Sequence, residues 1–114
     1  MIQRENLQLI NDLVSLLNLT LIESLVFLYL IKKGKCSVQG ICLELELERS
    51  LVTIALDGLV DHGMIFKLSS AEYRPFHPRF SVANCHRINC QILGIHVKMN
   101  NRIDALGKML ENYC

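Results

Sequence analysis

A mostly α-helical α+β domain carrying one small β-hairpin is predicted by this sequence, on three observations. Residues 6–17 and Leu21–Lys33 carry apolar residues at helical spacing, the second stretch almost without interruption. A third helical stretch ends in Asp61-His62-Gly63, and two short apolar runs separated by a polar turn follow it. Residues 85–113 then place apolar side chains at heptad spacing without a proline.

The first helix is expected to present Leu9, Ile10, Leu13, Val14, Leu16 and Leu17 on one side, with Asn11, Asp12 and Ser15 on the other. Asn18-Leu19-Thr20 interrupts it. Thr20 with Glu23 three residues later is the pairing in which a hydroxyl and a carboxylate satisfy the free amides of a helix start, so a new helix is expected over Leu21–Lys33. Its apolar residues cover nearly the whole circumference, which places it at the centre of the core. Lys32 and Lys33 complement the negative end of the helix dipole, and Gly34 supplies the stop.

Ser37 is expected to cap a short helix over residues 38–44 that buries Val38, Ile41 and Cys42. Leu45-Glu46-Leu47 reads as the turn, and Glu48 opens a third helix running to Asp61 or His62 with Val52, Ala55, Leu56, Leu59 and Val60 inward. Gly63 ends it. Residues 64–68 and 72–76 read as paired strands about the turn Ser69-Ser70-Ala71, and Pro75 and Pro78 bracket a non-helical joint.

Counted in heptads from Cys85, one set of seam positions is Cys85, Ile92, Met99, Leu106 and Tyr113; the other is Ile88, Ile95, Arg102 and Met109. Only Arg102 is neither apolar nor a thiol. A continuous helix over residues 85–113 would extend about 43 Å at 1.5 Å per residue, more than one small domain covers by itself. The expectation is a symmetric homodimer whose long C-terminal helices form a coiled coil through Ile88, Ile92, Ile95, Met99, Leu106, Met109 and Tyr113. The first helix would pack beside it.

Composition narrows the function. The 114 residues suit a single core, and the 51% hydrophobic content is interrupted by charge. The apolar run 25–31 falls far short of the ~20 residues a membrane span requires, and the polar N-terminus does not read as a signal peptide. A cytoplasmic protein with no membrane partner is expected. Cys36, Cys42, Cys85, Cys90 and Cys114 are odd in number and lack a Cys-x-x-Cys pair, so reduced thiols are the default. Cys85, His86 and Cys90 with His77 and His96 match no standard zinc spacing, and no metal or cofactor is expected. A phosphate loop, a nucleophile elbow and a His-Glu-x-x-His pair are all missing from the sequence, which argues against an enzyme.

Net charge is +1, but its distribution is uneven. Glu44, Glu46, Glu48, Asp57 and Asp61 outweigh Arg49 over the second and third helices. Lys67, Arg74, Arg79, Arg87, Lys98, Arg102 and Lys108 outweigh Glu72 and Asp104 after them. Lys32, Lys33 and Lys35 form a tight basic cluster, read as solvated charge at a helix end, and His62 is likewise read as a helix-end residue.

The order of three helices and a hairpin reads as a winged helix-turn-helix. Leu19-Thr20 with Glu23, then Val26, Leu28 and Leu30 followed by Gly34, resembles the opening helix of archaeal winged-helix regulators of the TrmB type. Arg49-Ser50, Val52, Ala55-Leu56, Leu59 and Gly63-Met64-Ile65 resemble their recognition helix and first wing strand; Tyr73-Arg74-Pro75 with Pro78 is similar to their exit from the wing. The resemblance covers residues 18–78, between a packing or dimerisation helix at 1–17 and the coiled-coil helix at 79–114. It implies a homodimeric transcription regulator that binds double-stranded DNA, without the large effector-binding domain of the sugar-sensing members.

Carried over by position, the resemblance implies that Arg49, Ser50 and Thr53 enter the major groove and that Lys67 and Arg74 touch phosphates. Two other readings stand beside it. Arg49 offsets its neighbouring glutamates while the outward residues Leu51, Ile54 and Asp57 bind another protein, making the domain an interaction module. Alternatively Cys85 and Cys90 serve a thiol sensor, with Cys85 bridging two chains at the seam.

Overall fold

A computed structural model describes residues 4–98 and 100–113. It is mostly helical, with a small antiparallel sheet: α1 (Arg4–Leu17), α2 (Leu21–Lys33), β1 (Cys36–Ser37), α3 (Val38–Leu45), α4 (Arg49–Asp61), β2 (Ile65–Lys67), β3 (Glu72–Pro75), α5 (Pro78–Leu93) and α6 (Asn101–Tyr113). Among the described residues no single helix is long and apolar enough to cross a membrane.

Local chemistry sets the helix boundaries. Asn18, in the left-handed region at φ 61°, ends α1. Thr20 Oγ1 accepts from the Glu23 amide at 3.1 Å and Glu23 Oε1 accepts from the Thr20 amide at 2.8 Å, so both halves of the expected capping box form. The backbone turns at Gly34, whose amide donates to the Leu30 carbonyl. Ser37 Oγ accepts from the Gly40 amide at 3.0 Å to start α3, and Glu46, left-handed at φ 54°, ends it.

β3 is the middle strand of the order β1-β3-β2, with Cys36 opposite Tyr73 and Phe66 opposite Arg74. The two-residue β1 has no counterpart in the sequence reading; the pairing with β3, distant in sequence, creates it. The core runs through all parts of the chain. Val26, Phe27 and Leu30 of α2 are fully buried in one cluster with Leu13 and Leu17 of α1, Leu56 and Leu59 of α4, and Leu106 and Leu110 of α6. Val60, expected inward, is instead 38% exposed, because the buried stripe of α4 is Val52, Ala55, Leu56 and Leu59.

The continuous C-terminal helix is corrected. Helix starts at Pro78, whose ring suits the first helical position, and His77 Nδ1 accepts from the Arg79 amide to cap it. Gly94 adopts φ 70° and closes α5, with the Ile95 amide returning to the Cys90 carbonyl. Asn100 Oδ1 then accepts from the Arg102 amide at 2.9 Å and opens α6. The second helix folds back, so Ile103, Leu106 and Leu110 are buried in the chain's own core together with Cys85.

The seam residues consequently scatter. Ile92 is 76% exposed and Ile95 56%, Ile88 and Tyr113 are half-buried, Leu106 is internal, and Met109 is partly exposed. Met99 lies outside the described residues. An apolar heptad is satisfied equally well by folding back on the same chain, which removes the single intermolecular seam the spacing suggested.

Side chains of α5 tie this hairpin to the rest. Ser81 Oγ lies 2.9 Å from the Met64 carbonyl and 3.1 Å from that of Phe76. Asn84 donates to the Gly63 carbonyl and Asn89 to that of Leu17, both at 2.8 Å. Phe66, Phe76 and Phe80 meet in turn, tilted and then edge-to-face, with ring centroids 4.9 and 5.2 Å apart, joining β2 to α5.

Candidate nucleic-acid interface

The start of α4 carries the expected groove residues. Arg49 is its first residue, and Arg49, Ser50 and Thr53 are all exposed at spacings that place them on one side of the helix. Glu48, at the N-cap, makes no side-chain capping bond.

The hairpin does not bring its two cations together. Lys67 lies opposite Tyr73 in the β2–β3 register and its ammonium sits 5.8 Å from the Tyr73 ring centroid, whereas Arg74 lies opposite Phe66. Directly opposed residues share a face and successive residues alternate, so Lys67 and Arg74 leave opposite faces of the hairpin. Both are exposed. A single flat surface can meet only one of them through the body of the hairpin.

The basic cluster at the end of α2 splits likewise. Lys32 places its ammonium 4.8 Å from the Tyr113 ring centroid and so joins α2 to the end of α6, while Lys35 pairs with Glu72 at 3.9 Å. Their charge is partly spent inside the fold.

Acidic and apolar groups surround Arg49. Glu44, Glu46 and Glu48 are exposed along the α3–α4 turn, and Asp57 and Asp61 are exposed on α4. Ile54 is 70% exposed and Leu51 39%, and they border a groove of about 450 Å³ against Leu21, Ile22 and the start of α2. Leu21, 57% exposed, is a member the sequence reading missed: the nearly uninterrupted apolar pattern of α2 hides which residue faces out.

In this groove Glu23 has two partners and a glycine that makes room for it. Its carboxylate caps α2, its Oε2 lies 3.8 Å from His62 Nε2, and Gly58 leaves the space it occupies, since a Cβ there would collide with the carboxylate. His62 is thus an ion-pair partner that fixes the far end of α4 to α2 when its ring is protonated.

The thiol-bridge reading is overturned for Cys85. It is fully buried, its Sγ faces the Leu17 carbonyl at 3.8 Å, and burial pushes its ionisation from 9.0 up to about 12. A thiol so placed reaches no second chain. Cys90 is also buried, with its Sγ 3.7 Å from His86 Nε2, and among the described residues no three metal-binding side chains converge. Cys114 lies outside the described residues.

No protein-family model, no curated protein and no solved structure gives a significant match to this chain.

Proposed function

We propose that the chain is a winged helix-turn-helix transcription regulator of the TrmB-like kind, which binds double-stranded DNA as a cytoplasmic homodimer. The observation that carries the reading is the open first turn of α4, with Arg49, Ser50 and Thr53 exposed, in a chain whose β2–β3 hairpin bears the exposed Lys67 and Arg74. A helix packed on one side by α2 and α3, with its polar N-terminal turn open, is the arrangement that enters a major groove. Arg49 suits the acceptor edge of guanine, and Ser50 and Thr53 suit either base edges or phosphate. The opposed faces of Lys67 and Arg74 favour a hairpin that lies along a groove with a backbone on each side.

Duplex binding measured against salt tests it. Affinity should fall steeply between low and moderate salt, and Arg49→Ala and Arg74→Ala should each weaken it, Arg74→Ala with a loss of about one from the log–log salt slope. Absence of binding at low salt overturns the regulator reading.

A second reading is favoured by the groove between α2 and α4. Leu21, Leu51 and Ile54 are exposed together, and Asp57 and Asp61 follow on the same side of α4, a surface suited to a protein and repelled by phosphate. In this reading the domain is an interaction module. Ile54→Lys separates the two: it strengthens duplex binding by a DNA reader and weakens attachment of a protein partner.

A further inference from the structure

We infer that the cleft between α5 and α6 is a binding site for a small apolar carboxylate, an assignment independent of whether α4 reads DNA. The cleft has a volume of about 530 Å³, within the range of small-molecule sites and too small for a docked helix. The buried Val82 and Ile103 line it together with the exposed Phe80, Ala83 and Val97. Gly107 also lines it, where α6 runs close against the Arg79 backbone.

A second cavity of about 740 Å³ shares His86, Lys98 and Asn100 with the first. Polar groups therefore gather where the two cavities meet, while the apolar side chains line the first cavity away from that junction. The sole carboxylate of the lining, Asp104, is already engaged: Arg79 lies 3.3 Å from its Oδ1 and Lys108 3.3 Å from its Oδ2. Lys98, among the described residues, pairs with no carboxylate. The remaining charge of the lining is positive, so it selects an anionic head at Lys98 and His86 with an apolar body lying over Val82, Ala83 and Ile103.

The assignment also gives the non-helical residues that follow Gly94 a role. Val97 and Lys98 are exposed in the free chain, and a ligand in the cleft would cover them.

The test is a nitrogen-15 NMR titration of the full chain with sodium octanoate and, separately, octylammonium chloride. Octanoate should produce saturable shifts confined to residues 79–86 and 97–107, and octylammonium should bind more weakly by about tenfold or more, the worth of one charge-assisted contact. Lys98→Glu, on an exposed segment, should weaken octanoate by a similar factor. Ala83→Trp should fill the cleft and abolish saturation while the melting transition is retained. No saturable shifts with octanoate, equal affinity for the two amphiphiles, or unchanged affinity in Lys98→Glu each overturn the proposal.

Discussion

Glu23 is buried to 8% exposure, yet its carboxylate has a partner on each side: the Thr20 amide at the start of α2 and the His62 ring at the end of α4. A buried carboxylate persists only when such partners replace its water. Gly58 is what lets α4 come close enough. Alanine in an open helix interior is normally worth about 1 kcal/mol over glycine. Here Gly58→Ala should instead destabilise by about 1–3 kcal/mol, because the added methyl displaces the carboxylate from its cap. Denaturant unfolding of the variant checks the sign; a gain in stability would show that Glu23 has another place to go.

Cys85 yields a prediction of a different kind. A group whose ionisation is raised by folding contributes its stability fully below the unfolded value and loses it as pH climbs toward the folded one. Burial lifts this thiol from 9.0 to about 12, so its contribution should be constant below about pH 9 and fall between pH 9 and 12. Thiol titration of the native protein at pH 8 should modify the half-buried Cys42 before Cys85, which becomes reactive only on unfolding. Unfolding free energy of Cys85→Ala against pH checks the alkaline slope, which the substitution should shallow.

At the scale of elements, the break between α5 and α6 rests on two residues with local reasons to be there. Gly94 at φ 70° and Asn100 at the start of α6 end one helix and begin the next. Gly94→Ala should cost about 1 kcal/mol through left-handed strain, and Asn100→Ala about 1 kcal/mol through the lost cap, neither joining the two helices into one. Circular dichroism at constant helicity with a lowered melting transition is the expected result. Ser81→Ala should cost about 1–2 kcal/mol, since the Ser81 hydroxyl serves two carbonyls at the joint between hairpin and α5.

These same elements show how far local sequence reaches. Thr20 with Glu23, Gly34, Ser37 and Gly63 were legible because capping is chemistry between residues a few positions apart. Gly94 and Asn100-Asn101 carry the same type of signal, but the regular heptads around them spoke for continuity. Heptad spacing specifies that a helix must be covered, not by which chain. β1 and the exposure of Leu21 were hidden for another reason: each depends on an element distant in sequence, β3 in one case and α4 in the other.

Across the whole molecule, the fold-back moves the problem of oligomerisation to the turn end of the α5–α6 hairpin. Ile92, Leu93 and Ile95 are left exposed there as a cluster of large aliphatic side chains. A homodimer of the proposed kind would cover them, so Ile92→Glu with Ile95→Glu should convert it to a monomer with unchanged helicity. Sedimentation velocity checks this; a wild-type chain that sediments as a monomer at high concentration removes the dimer from the proposal. Of the candidate interface, the sequence located Arg49, Ser50 and Thr53 on one exposed side of α4, because helical spacing alone places them. It did not reveal that Lys67 and Arg74 leave opposite faces, which depends on the register of β2 against β3.

By itself, then, the sequence determined the helix starts and stops between Thr20 and Gly63, the inward stripe of α4 from Val52 to Leu59, and the hairpin after it, since each follows from short-range hydrogen bonding or from the period of apolar residues. Tertiary structure alone decided that the C-terminal apolar residues serve the chain's own core, that Cys85 is sealed, and that a charged cleft opens between α5 and α6. Those outcomes depend on which distant surfaces meet. Burial is a property of the meeting surfaces, and a pattern along one helix does not name its partner.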